Sequence, residues 1–127
     1  MSDPIAAVVQ FLRSLPDLPT GSVTGDMNAR TVGDTTIYVS HSGGFQVLRD
    51  SVDRIDIAFE VYAPDREEAA DLAFLVRKHL LRDLRDVTVG SIYFLDADGD
   101  QIPDYEPDSS SREHVYCGEV TLFYISD

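Results

Sequence analysis

The chain is short of the residues from which disulfides, metal centres and basic grips are built. Cys117 is its one cysteine, so no intrachain disulfide can close, and three scattered histidines offer no zinc-type cluster. A reducing compartment is the expectation. Lys78 is its one lysine, and the ten basic residues face 23 acids, for a net charge of −13. Such a surface repels phosphate and anionic headgroups, so neither sequence-specific nucleic-acid binding nor a membrane partner is expected. No apolar run approaches the ~18 residues of a membrane span, and Met1-Ser2-Asp3-Pro4 lacks the basic region and apolar stretch of a signal peptide. The chain is expected to be made in the cytosol and kept there, at least at first.

Several motifs are missing as well. There is no Gly-x-Gly-x-x-Gly or Gly-Lys-Ser/Thr loop to cradle a phosphate, and no Gly-x-Ser-x-Gly elbow to raise a nucleophile. No period of 20 to 50 residues recurs, which removes solenoids and propellers. On motif grounds neither an enzyme nor a cofactor is expected.

What is present is a chain of 127 residues, 43% hydrophobic and 26% charged, enough for one folded domain over 1–127. Asp3 and Pro4 form a helix start, and Ile5, Val8, Val9 and Leu12 follow on one helical face, predicting a helix to about Ser14. Residues 15–34 carry two prolines and three glycines and read as a long connection. Thr36-Ile37-Tyr38-Val39 predicts a strand stopped by Ser42-Gly43-Gly44. Ile55, Ile57, Phe59 and Val61 alternate with Arg54, Asp56, Ala58 and Glu60, a strand with one dry and one wet face.

Asp65 and Glu68 then form a capping signal before Ala69, Leu72, Ala73, Val76 and Leu80, predicting a helix over 66–82. Val87 to Leu95 reads as a strand, and Val115 to Ile125 as its antiparallel return. The order predicts an α+β fold: one mainly antiparallel β-sheet with two amphipathic helices packed on one face.

Between the last two strands lies an acidic hairpin loop at about 96–113, with seven acids and one base. Asp96, Asp98, Asp100 and Asp104 alternate as calcium ligands can, and the run resembles the Asp-rich repeats of extracellular adhesion proteins, here in a single copy. The EF-hand pattern fails, because Gln101 stands at the glycine position and Pro107 at the bidentate glutamate. The plainer reading is a solvated or partner-facing loop, with Asp98, Asp100, Asp104, Tyr105 and Glu106 as contact candidates. Acid–base catalysis by these carboxylates would need a pocket that an acidic loop in water does not offer.

His114 and Cys117 are three apart on a strand and should face opposite ways, so they should not form a nucleophile and base. Cys117 is expected as a small core hydrophobe, His79 beside the terminal carbonyls of the second helix, and His41 at a strand end.

Three stretches also match a known family in arrangement. Asp3-Pro4-Ile5-Ala6-Ala7-Val8-Val9, the passage Ile55 through Ala73 with Val61-Tyr62-Ala63-Pro64-Asp65-Arg66-Glu67-Glu68-Ala69, and two C-terminal strands around a Pro/Asp-rich loop carry the likeness. Together they resemble tail terminator (tail-completion) proteins of long-tailed siphophages. The resemblance implies an α+β subunit without an active site that forms a homo-hexameric ring. That ring caps the major tail tube protein and joins it to the head connector or neck protein, in a virion tail assembled in the host bacterial cytoplasm. Two other readings compete: a calcium-dependent binding module using Asp96–Asp104, and a small enzyme or ligand-binding domain whose site no motif reveals.

Overall fold

The computed structural model describes residues 3–48 and 51–126; Met1 and Ser2, part of the stretch read for a leader, lie outside them. Helix α1 (Pro4–Arg13) starts where the Asp3 carboxylate accepts the Ile5 N–H at 2.9 Å, and it buries Ala7, Val8, Val9, Phe11 and Leu12. Helix α2 (Arg66–Lys78) is capped by Asp65, which accepts the Glu68 N–H at 2.8 Å. Glu67 and Glu68 in its first turn, and Arg77 and Lys78 in its last, oppose the helix dipole. The expected continuation to 82 is a π-helical turn, His79–Asp83, closed by the Leu84 N–H on the His79 carbonyl.

Among the described residues seven strands form one sheet: β1 (Val23–Thr24), β2 (Thr36–Leu48), β3 (Val52–Ala63), β4 (Thr88–Val89), β5 (Ile92–Asp98), β6 (Asp104–Tyr105) and β7 (His114–Ser126). The order is β1-β2-β3-β7-β5-β4, with β6 also on β7, and every pair is antiparallel except β1 with β2. This is the expected α+β sheet. Ile37 and Val39 of β2, Ile55, Ile57, Phe59 and Val61 of β3, and Val120 and Leu122 of β7 share one core with the apolar faces of both helices. The helices therefore cover one sheet face. Opposite the fully buried Phe59 sits Gly118, where a Cβ would lie 2.3 Å from the phenyl ring.

Three local expectations are corrected. The 15–34 connection contains β1 and a 3-10 turn over Met27–Ala29, because Ser22 accepts the Ile37 N–H at 2.8 Å and Asp26 caps the turn. Ser42-Gly43-Gly44 does not stop β2: a bulge between His41 and Gly43 absorbs the extra residue, and the strand runs on to Leu48. His41 is therefore within the strand rather than at its end. Gly44 has φ 153° and comes so close to β3 that a Cβ would lie 2.5 Å from the Arg54 carbonyl oxygen. Finally, Val87–Leu95 is not one strand. Gly90, at φ 61°, turns it into the hairpin β4–β5, and β5 continues to Asp98.

Candidate functional site

Strand alternation puts Asp56 and Glu60 of β3 on the face away from the helices. Their ladder partners extend that face across the sheet: Thr121 and then Asp98 beside Asp56, and Cys117 and then Asp104 beside Glu60. Glu119, opposite Ala58, and Asp96, opposite Phe123, belong to the same face. Among the described residues six strand carboxylates thus share the uncovered surface of the sheet, with Glu106 beside them on Cys117, and Arg54 is the basic residue contributed by its strands. Arg54 is already engaged, with Nε 3.0 Å from Asp56 and its guanidinium 4.9 Å from the Phe45 ring centre. The Thr121 hydroxyl, 2.7 Å from Asp56, chiefly holds that carboxyl below its ordinary value, with Arg54 adding to the effect.

The acidic segment does not hang free in water as a hairpin tip. Arg77 of α2 donates to the carbonyls of Gly99 at 3.1 Å and Gln101 at 3.2 Å, and Pro103 is buried. Asp104 and Tyr105 then pair with β7 as β6. The Tyr105 ring lies under the Arg66 guanidinium at 4.0 Å, and its hydroxyl is 2.8 Å from His114 Nδ1. Farther on, the Glu106 N–H reaches Val115 at 2.9 Å, and the N–H groups of Ser111 and Ser110 hold the Asp108 carboxyl below its usual range.

The strongest anchor had no local signal. Glu113 accepts two hydrogen bonds from Arg30, at 2.6 and 3.1 Å, as well as the Gly33 N–H at 3.0 Å and the Ser111 hydroxyl at 2.9 Å. Arg30 also donates to Thr36 at 2.9 Å and lies 4.4 Å over the Tyr62 ring. About nine-tenths of each partner's side chain is buried. Arg30, above all, holds the Glu113 carboxyl down to about 2. Burial, and then the hydrogen bond to Glu60 at 2.8 Å, raise the neighbouring Tyr62 hydroxyl, which stays protonated.

Of the candidates from the sequence, Asp96, Asp98 and Asp104 reach the uncovered face, Glu106 hydrogen-bonds Cys117, Tyr105 faces the helix side with Tyr116, and Asp100 is exposed in the connection between β5 and β6. Asp96, Asp98, Asp100 and Asp104 do not converge on a point. Asp96 lies 3.2 Å from Arg85, Asp98 accepts the Gly99 N–H, and among the described residues no three His, Cys, Asp or Glu side chains are placed to hold a metal ion. Asp56, Glu60 and Glu119 are not among the candidates from the sequence. The wet positions of β3 were legible, but the pairing that sets Glu119 beside them was not.

Two further expectations are corrected. Cys117 is half-buried on the uncovered face, not in the core, because its pairing opposite Glu60 turns it to that side, where Asp104 of β6 lies beside it and Glu106 hydrogen-bonds it. Burial first, then Glu106, Glu60 and Asp104, push its thiol up to about 12, so it keeps its proton at neutral pH. The His79 ring does not meet helix carbonyls: Nδ1 is 2.6 Å from Asp83 and Nε2 is 2.8 Å from Asp17, carboxylates that reach the ring from the π-helical turn and the α1–β1 connection. As expected, His114 and Cys117 face apart, His114 toward Tyr105. Among the described residues no helix is long and apolar enough to cross a membrane. No protein-family model matches the chain, and no curated protein sequence matches it significantly.

Proposed function

We propose that the chain is a structural subunit of a phage tail: a tail terminator whose copies dock into a hexameric ring that caps the tail tube and joins it to the head connector. The observation that carries the reading is the uncovered sheet face with Asp56, Glu60, Asp96, Asp98, Asp104 and Glu119. Carboxylates facing a lumen repel phosphate at every step without reading sequence, so a polyanion passes and does not stick. A subunit that works this way needs surfaces for its neighbours and a smooth electrostatic lining. Its carboxylates belong to rigid strands, which keeps the lining in place as DNA moves.

The test is co-sedimentation of the full chain with cognate purified tail tubes, alongside a duplex-retention assay at physiological salt. The chain should pellet with the tubes at a stoichiometry set by tube ends, and free duplex should not be retained. A chain that ignores the tubes, or that grips duplex at that salt, overturns the proposal.

A further inference from the structure

In a chain where about one residue in four is charged, Thr35 to Leu48 contains no Asp, Glu, Lys or Arg. It is the longest uncharged run in the sequence, and it coincides with β2. Sheet edges exposed to water are ordinarily guarded by charge, proline or cover. Here β1 covers β2 only opposite Ile37 and Tyr38, so among the described residues Val39 to Leu48 has β3 on one side and no strand on the other. Two bulges, at His41/Gly43 and Gln46/Leu48, interrupt the pairing with β3. Phe45, Val47 and Leu48 are 58%, 48% and 59% exposed, three large apolar side chains within four residues of one hairpin arm.

We infer that this β2 arm is the surface through which one copy of the chain docks on a second copy. Charge selects that occupant. Nucleic acid or an anionic headgroup would find one cation at the arm, Arg54 stacked on Phe45 and already paired with Asp56, and a basic protein would be drawn to the carboxylate face instead. Two copies at −13 each repel, and they approach most cheaply at this arm, which adds no charge of its own and whose neighbouring Arg54 is matched by Asp56. The bulges shorten any ladder that could be added along the edge, so the contact is made chiefly by Phe45, Val47 and Leu48. His41 belongs to the same arm, its Nε2 already 2.8 Å from the Gly43 carbonyl oxygen, which occupies one acceptor along it. The inference stands or falls on self-association alone, whether or not the assembly meets a tail.

The experiment is sedimentation velocity of the full chain over a wide concentration range, at low and high salt, with Val47→Lys and Ser42→Lys. Both substituted positions are exposed, and circular dichroism and Tm check that each variant folds. The wild type should form dimers or rings as concentration rises. Salt should strengthen the association, because it screens like charges and leaves an apolar contact intact. A folded lysine variant should associate roughly tenfold more weakly or worse, the equivalent of about 1.4 kcal/mol. A wild type that stays monomeric throughout, association that salt weakens, or folded variants that associate like the wild type would each overturn it. Rings on tail tubes unaffected by both lysines would reject this surface and leave the terminator reading standing; variant-sensitive association without tube binding would do the reverse.

Discussion

The acidic segment after β5 and the β2–β3 hairpin differ in a way their compositions invert. The acidic segment has the residues of a solvated loop, yet Arg77, β6 and the Arg30–Glu113 pair fasten it at three places. The hairpin arm from Gly43 to Leu48 has the residues of a buried strand, yet it exposes Phe45, Val47 and Leu48. Charge is therefore a poor guide to which part of this surface is held. A carboxylate placed opposite a guanidinium at bidentate distance anchors backbone, whereas apolar residues without a facing layer bury little area within the chain.

The sharpest way to break that contrast is to unfasten the acidic segment. Glu113→Ala leaves Arg30 buried without its carboxylate partner, and it should cost on the order of 3 kcal/mol in urea or thermal unfolding. Loss below about 0.5 kcal/mol would mean that the pair is solvated and the segment is held elsewhere.

Acid tests the same anchor. Because the folded-state pKa of Glu113, about 2, lies below its ordinary 4.5, the pair stabilises fully above the ordinary value and fades as pH falls toward 2. Urea titrations at several pH values should show wild-type stability falling through that window more than in Glu113→Gln. Equal acid sensitivity of the two proteins would refute the assignment.

Glycine substitutions compare the two regions at their tightest points. Gly118→Ala forces a methyl against the buried Phe59 ring and should cost about 1–3 kcal/mol, read as a lower global Tm. Gly44→Ala meets the Arg54 carbonyl, but in an arm with little packing, so it should speed amide exchange within the hairpin more than it lowers global stability. Smallest of all, Val47→Lys should change the stability of the isolated chain by no more than about 0.5 kcal/mol, measured by chemical denaturation below any self-association.

Much of the frame was legible because its signals are local. The alternation of Ile55, Ile57, Phe59 and Val61 reports a one-sided strand, and Asp65 with Glu68 reports a helix start, within a few residues each. The uncovered face was half legible: Asp56 and Glu60 follow from that alternation, but setting Glu119 and Asp104 beside them requires the register of β3, β7 and β6. Arg30 and Glu113 are 83 residues apart, and neither has a neighbour that marks it. Ser42-Gly43-Gly44 misled because the same glycines serve a turn or a bulge, and only the length of β3 opposite them decides which.

The proposed role has copies of this chain dock around a passage whose carboxylates turn DNA away. Electron microscopy of cognate tail tubes, with and without the purified chain, addresses it most directly. A ring of six subunits is expected at one end of each tube, with the sheet's carboxylate face toward the channel. Bare tube ends, or a ring that presents the helices to the channel, would contradict it.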